Sequence, residues 1–152
     1  MPLVTYKALP HSLAVRVALD VPRDQKRLLR KARERDKRKI PQPVEALGAI
    51  DTLAGHTCVE TSIVEALGLV QVGENTFYRA GPDPNVTCAI YNACLTIMQE
   101  GPDRQLDLVL DPFPVASLAI GSNDYQVVLG LDFLSHCLLF YDGESRVLWL
   151  KY

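Results

Sequence analysis

No apolar run in this 152-residue sequence reaches the ~18–20 residues a helix needs to cross a bilayer, which excludes a helical membrane span. Histidine is scarce. His11, His56 and His136 lie far apart, and the four cysteines include no Cys-x-x-Cys, so no ligand set for a structural zinc is visible and no metal is expected. Cys58, Cys88, Cys94 and Cys137 are scattered through a chain long enough to build its own core, and they read as reduced, buried thiols. Gly-x-Ser-x-Gly and Gly-x-x-x-x-Gly-Lys are both missing, which removes the α/β-hydrolase nucleophile elbow and the phosphate loop, and nothing calls for a cofactor. The opening stretch MPLVTYKALPHS carries no basic region followed by an apolar core, so the expected location is cytoplasmic.

What is present is the composition of one globular domain, residues 1–152, with 48% hydrophobic and 22% charged residues. A chain of this size buries roughly 68–70% of its unfolded surface, enough for a hydrophobic core without staples. The net charge of -2 hides a partition. Residues 23–39, RDQKRLLRKARERDKRK, hold ten Lys/Arg against three Asp/Glu, leaving six against fifteen elsewhere. Ala, Leu, Lys, Arg and Gln favour helix, and only Leu28, Leu29 and Ala32 offer anything to bury, so this segment is predicted as a solvated helix. Its field alone suits nucleic acid, anionic lipid or an acidic protein face. Residues 12–21 are predicted as a strand closed by Pro22. Val44 to Ile50 is predicted as the next strand, beyond Pro41 and Pro43. The basic segment is then an insertion between two strands, and its removal should leave the core intact.

Thr57-x-x-Glu60 and Ser62-x-x-Glu65 fit capping boxes, with Ile63, Val64 and Leu67 at helical spacing and Gly68 as a stop, predicting one short helix. Short apolar stretches follow, divided by turn formers at 73–75, 81–85, 101–103, 111–114, 121–124 and 142–143. That rhythm predicts a sheet-dominated barrel or sandwich. Near the end, Tyr125 to Leu131 reads as a buried strand and Asp132 to Ser135 as a helical turn. Cys137 to Tyr141 with Arg146 to Leu150 reads as a hairpin around 142–145. Asp132 and Asp142 read as turn or cap residues, and His56 and Cys58 as a polar turn residue and a core thiol.

The segment Ala49-Ile50-Asp51-Thr52-Leu53-Ala54-Gly55-His56-Thr57 carries the chemistry. An apolar strand runs straight into a carboxylate, which is costly there unless hydrogen-bonded or put to use. This pattern resembles the half-site of retropepsin-like aspartic peptidases. Leu47 to Thr52 is similar to the strand entering the catalytic loop. Val64-Glu-Ala-Leu-Gly-Leu69 is similar to the following helix and its exit in bacterial members. Val127-Val-Leu-Gly-Leu-Asp-Phe-Leu134 with Tyr141-Asp-Gly143 is similar to the late Gly segment, short helix and last hairpin.

The resemblance spans about residues 44–150 and implies an all-β, closed acid-protease barrel with one short helix, to which the basic helix is added. It implies a homodimer, because the chain has one Asp-Thr half-site, and an Asp51 pair hydrolysing peptide bonds. Two such carboxyls about 3 Å apart share one proton, one acting as base on water and the other as acid toward the carbonyl. Thr52 would brace the two loops across the axis, with Leu53 and Ala54 completing the loop. The region Phe77 to Ile90 would form a flap over a peptide substrate, with Ala80, Gly81, Pro82 and Asp83 near its tip. The family's Gly after Thr is Leu53 here. Either Gly55 supplies the loop's flexibility, or the site is partly blocked and the chain is a peptide- or protein-binding module.

Overall fold

The computed structural model describes residues 3–7, 13–36, 39–78, 84–99 and 107–152. In chain order the strands and helices are β1 (Leu3–Lys7), β2 (Ala14–Asp20), α1 (Arg23–Asp36), β3 (Val44–Ile50), β4 (Cys58–Glu60), α2 (Thr61–Leu67) and β5 (Gln71–Tyr78). They continue as β6 (Asn85–Ile97), β7 (Leu108–Leu118), β8 (Val127–Leu129), α3 (Leu131–Leu134), β9 (Leu138–Asp142) and β10 (Val147–Lys151).

Six strands close on themselves in the order β2-β3-β8-β4-β7-β6, with β2 pairing back onto β6, and β5 extends the sheet beyond β6. Two pairings are parallel, β3 with β8 and β4 with β7. The first of these places Ile50 beside Leu129, so the chain leaves both strands at the same point, into residue 51 on one side and residue 130 on the other. A separate three-stranded sheet, β1-β10-β9, joins the two ends of the described chain.

Alternation explains β2. Val15, Val17 and Leu19 are buried while Arg16 points out to pair with Glu45 at 3.0 Å. These residues meet Val59, Leu95, Ile97, Val115, Val127 and Leu129 inside the barrel, and Ile63, Val64 and Leu67 of α2 and Phe133 of α3 pack on the same core. Gly48 has a packing reason, since a Cβ there would lie 3.1 Å from both the Leu129 and Val17 side chains.

Sequence expectation and structure part company at three places. Neither capping box forms: the Thr57 hydroxyl is engaged with Asp132, and the residue before α2, Glu60, sends its carboxylate to the backbone N–H groups of Ile120 and Gly121. The stop at Gly68 is as expected, with a left-handed φ of 59°. Residues 111–114, expected as a turn, lie within β7. They are tolerated there because β7 pairs with β4 only from Ala116 to Leu118, leaving its earlier part an edge on that side, where Pro112 and Pro114 need donate nothing. Finally, β1 was not foreseen. Its five residues make sense only beside β10, 140 to 148 positions away, with Leu3 opposite Lys151. The basic segment is helical from Arg23 to Asp36 and connects β2 to β3, while residues 37 and 38 lie outside the described part.

Candidate active site

Asp51 follows the last residue of β3. Its N–H donates to the Leu129 carbonyl at 3.0 Å, which continues the β3–β8 ladder by one step. One carboxylate oxygen, Oδ1, accepts the Leu53 N–H at 2.9 Å, and the Asp51 carbonyl accepts the Ala54 N–H at 3.3 Å, folding 51–54 into a tight turn. Oδ2 has no partner among the described residues, and neither has the Thr52 hydroxyl. Asp51 is half-buried, and Thr52 is exposed.

The loop is fastened from below by residues whose part the sequence did not reveal. Thr57, the one fully buried polar side chain among the described residues, donates its hydroxyl to Asp132 Oδ1 at 2.8 Å and its N–H to Asp132 Oδ2 at 2.9 Å. The same hydroxyl accepts the Gly130 N–H at 3.2 Å. Leu131 N–H reaches the Ala54 carbonyl at 2.8 Å, and Asp132 N–H the Gly55 carbonyl at 3.3 Å. Asp132 therefore bonds the next N–H, of Phe133, at 2.7 Å as a turn residue does, and also ties the 51–57 loop to α3. Gly130 permits this approach: a Cβ there would sit 2.6 Å from the His56 carbonyl carbon. The clue in the sequence is Gly130-Leu-Asp132, in which Gly130 and Leu131 read as the end of a buried strand and Asp132 as a turn or cap residue.

Above the loop opens a cleft of about 610 Å³ whose lining includes Asp51, Leu53, His56, Phe77, Tyr78 and Leu118. Asp51 is its one carboxylate among the described residues. Leu53 is 93% exposed and stands in this cleft, with no positive φ to show for the absence of glycine. Ala54 is half-buried beside it. The His56 ring lies against Phe77 of β5, centroids 4.8 Å apart, with Nδ1 4.0 Å from Asp132 Oδ2. Cys58 and Cys88 also line the cleft. Burial pushes the Cys58 thiol up to about 11, with Cys88, Asp132 and Asp51 adding to the rise, so it stays protonated near neutrality and is not a ready nucleophile. The β5–β6 hairpin overhangs this cleft through Asn75 to Tyr78 and Val86. Ala80, Gly81, Pro82 and Asp83, expected at the flap tip, lie outside the described residues. No group of three or more potential metal ligands occurs among the described residues.

A six-stranded closed barrel with paired parallel crossings, short helices and a terminal sheet is a retropepsin-like fold. No protein-family model matches the sequence, and no curated protein matches it. Among solved structures the chain is similar to the crystal structure of a retropepsin-like aspartic protease from Rickettsia conorii. The TM-score is 0.56 and the identity 11%, over 99% of this chain and 91% of that one. At that identity the likeness establishes the fold.

Proposed function

We propose that this chain is an aspartic endopeptidase that acts as a homodimer, with Asp51 from each subunit forming the catalytic pair. The observation that carries the reading is the single carboxylate at the end of β3, in a cleft roofed by a hairpin, within a retropepsin-like barrel. Oδ1 is fixed by a backbone N–H while Oδ2 and the Thr52 hydroxyl have no partner among the described residues, which suits a residue that completes its site with a second copy. The exposed apolar residues of the terminal sheet support this reading. Leu138 and Phe140 on β9 are each more than half exposed, and Trp149 is the register partner of Phe140.

In the dimer one carboxylate takes a proton from water, whose oxygen attacks the peptide carbonyl carbon. The other, protonated, donates to the carbonyl oxygen. Collapse of the tetrahedral centre breaks the C–N bond, with a proton passing to the leaving amine. His56 and Phe77 border the cleft where flanking substrate side chains would lie.

The test is hydrolysis of unfolded casein or a peptide library by the native chain and by Asp51→Asn. The substitution keeps size and hydrogen-bonding shape, and loss of the shared-proton chemistry is expected to lower turnover on the order of 10²–10⁴-fold. Equal behaviour of the two proteins contradicts the proposal. A second reading, a non-catalytic module that binds peptides in the same cleft, is favoured by one observation, the exposed Leu53 side chain lining the cleft two residues from Asp51. Peptide binding without turnover, unchanged by Asp51→Asn, would support it.

A further inference from the structure

The hydrolytic reading makes no use of α1, whose charges divide into two sets. Near its root the Arg23 guanidinium pairs with Asp111 at 3.4 Å, the Lys26 ammonium pairs with Asp20, and Leu29 packs against the core. These contacts hold the helix to the barrel. Arg27, Arg30 and Lys31 are exposed, and none has an acidic partner among the described residues. At i, i+3 and i+4 they share one helix face. The sequence continues with Arg33, Arg35, Lys37, Arg38 and Lys39, whereas the rest of the chain is acidic.

We propose that α1 is a docking surface for the phosphodiester backbone of nucleic acid, engaged through Arg27, Arg30 and Lys31. Charge complementarity selects this occupant over two others. A helix that lies in a membrane surface needs a free apolar face. Here Leu29 is spent on the barrel, and Leu28 is the one large apolar side chain of α1 left exposed among the described residues. A protein partner is ordinarily gripped through aromatic or arginine anchors set in a packed, water-excluding surround, and RDQKRLLRKARERD has no aromatic residue and only Leu28 as an exposed large apolar one to supply that surround. A phosphate backbone requires only an array of unpaired cations, preferably rich in arginine, whose planar fork matches phosphate oxygens. Six of the ten basic residues in 23–39 are arginine.

The placement leaves the cleft free. The helix grows from the end of the β2–β3 pair where Leu19 faces Val44, and Asp51 follows the opposite end of β3, seven residues and roughly 20 Å away. Bound nucleic acid would tether the chain without covering the candidate active site. The binding is sequence-independent, since phosphate contacts position a protein but do not read bases.

The experiment is fluorescence anisotropy of a labelled duplex oligonucleotide titrated with the full chain across a salt series. Engagement of about four phosphates gives a log–log slope near -3.6, an affinity loss on the order of 100-fold between 50 and 200 mM salt. Arg27→Gln/Arg30→Gln/Lys31→Gln is expected to reduce the slope by about three in magnitude. Arg27→Lys/Arg30→Lys, which keeps the charge, is expected to retain most of the binding, and circular dichroism checks that each variant is folded. The salt slope of the unmodified chain needs no variant at all. Absence of binding at 50 mM salt, a slope near zero, or undiminished binding by the folded triple variant would overturn the proposal. So would tighter binding to phosphatidylserine vesicles or polyglutamate than to the oligonucleotide, or a triple variant that changes the chain's own association state. Asp51→Asn is expected to bind like the native chain, so failure of the peptidase reading leaves this result readable.

Discussion

Leu53 is the residue at which the sequence and the peptidase reading pull hardest against each other. Its backbone adopts an ordinary negative φ, so the loop does not depend on glycine there, and the side chain occupies space in the cleft instead of strain in the backbone. Trimming it removes almost no buried surface. Leu53→Gly is therefore expected to shift stability by no more than about 1 kcal/mol. The same change is expected to raise kcat/KM roughly 10–100-fold by admitting the scissile bond to a near-attack position, read by peptide hydrolysis and thermal melting. No gain in activity from a folded Leu53→Gly protein would show that obstruction is not what Leu53 does.

Thr57 belongs to the same scale. Valine matches its shape but cannot serve Asp132 Oδ1 or the buried Gly130 N–H. Thr57→Val is expected to cost roughly 2–3 kcal/mol, or about 5–10 °C in a melt of a chain this size. A change below about 0.5 kcal/mol would mean the clamp between loop and α3 is not carrying the loop's geometry.

At the scale of elements, legibility followed the range of the interactions. The strands 14–20 and 44–50, the helix stop at Gly68 and the last hairpin were readable because alternation, capping glycine and the Asp142-Gly143 turn are local. In that turn Asp142 accepts the Glu144 N–H at 2.9 Å and the Ser145 hydroxyl, which holds its carboxyl below the usual range. The strand β1, the run of β7 through Pro112 and Pro114, and the loss of both capping boxes were not readable, because each is decided by a distant partner. The site divided the same way. As a candidate, Asp51 stands out in the sequence as a carboxylate ending an apolar strand, and Thr52, Leu53 and Ala54 enter through the family resemblance, while Asp132 looks like any cap until the fold places it under Thr57.

The helix α1 offers an element-scale test. Because Leu19 and Val44 are register partners, the strands it connects already lie side by side, and a short Gly/Ser turn can replace 23–39 with little change in loop-closure entropy. Such a chain, keeping buried Val21 and Pro22, is expected to melt cooperatively with a loss of about 3 kcal/mol or less, from the two root ion pairs and the packing of Leu29. Loss of cooperative melting would make α1 part of the core instead.

At the scale of the whole molecule, the barrel places one carboxylate per chain, Asp51, in the cleft among the described residues. On the proposed reading, the acid and the base of peptide hydrolysis are identical residues made different only by one shared proton. The terminal sheet, with Leu138 and Phe140 more than half exposed, is the surface proposed for the second copy. A crystal structure of the protein at high concentration measures the decisive quantity, the separation of the two Asp51 carboxylates. A twofold dimer is expected, with those oxygens about 3 Å apart and the Thr52 hydroxyls bonded across the axis. A monomer, or a dimer whose Asp51 side chains face away from each other, would contradict it.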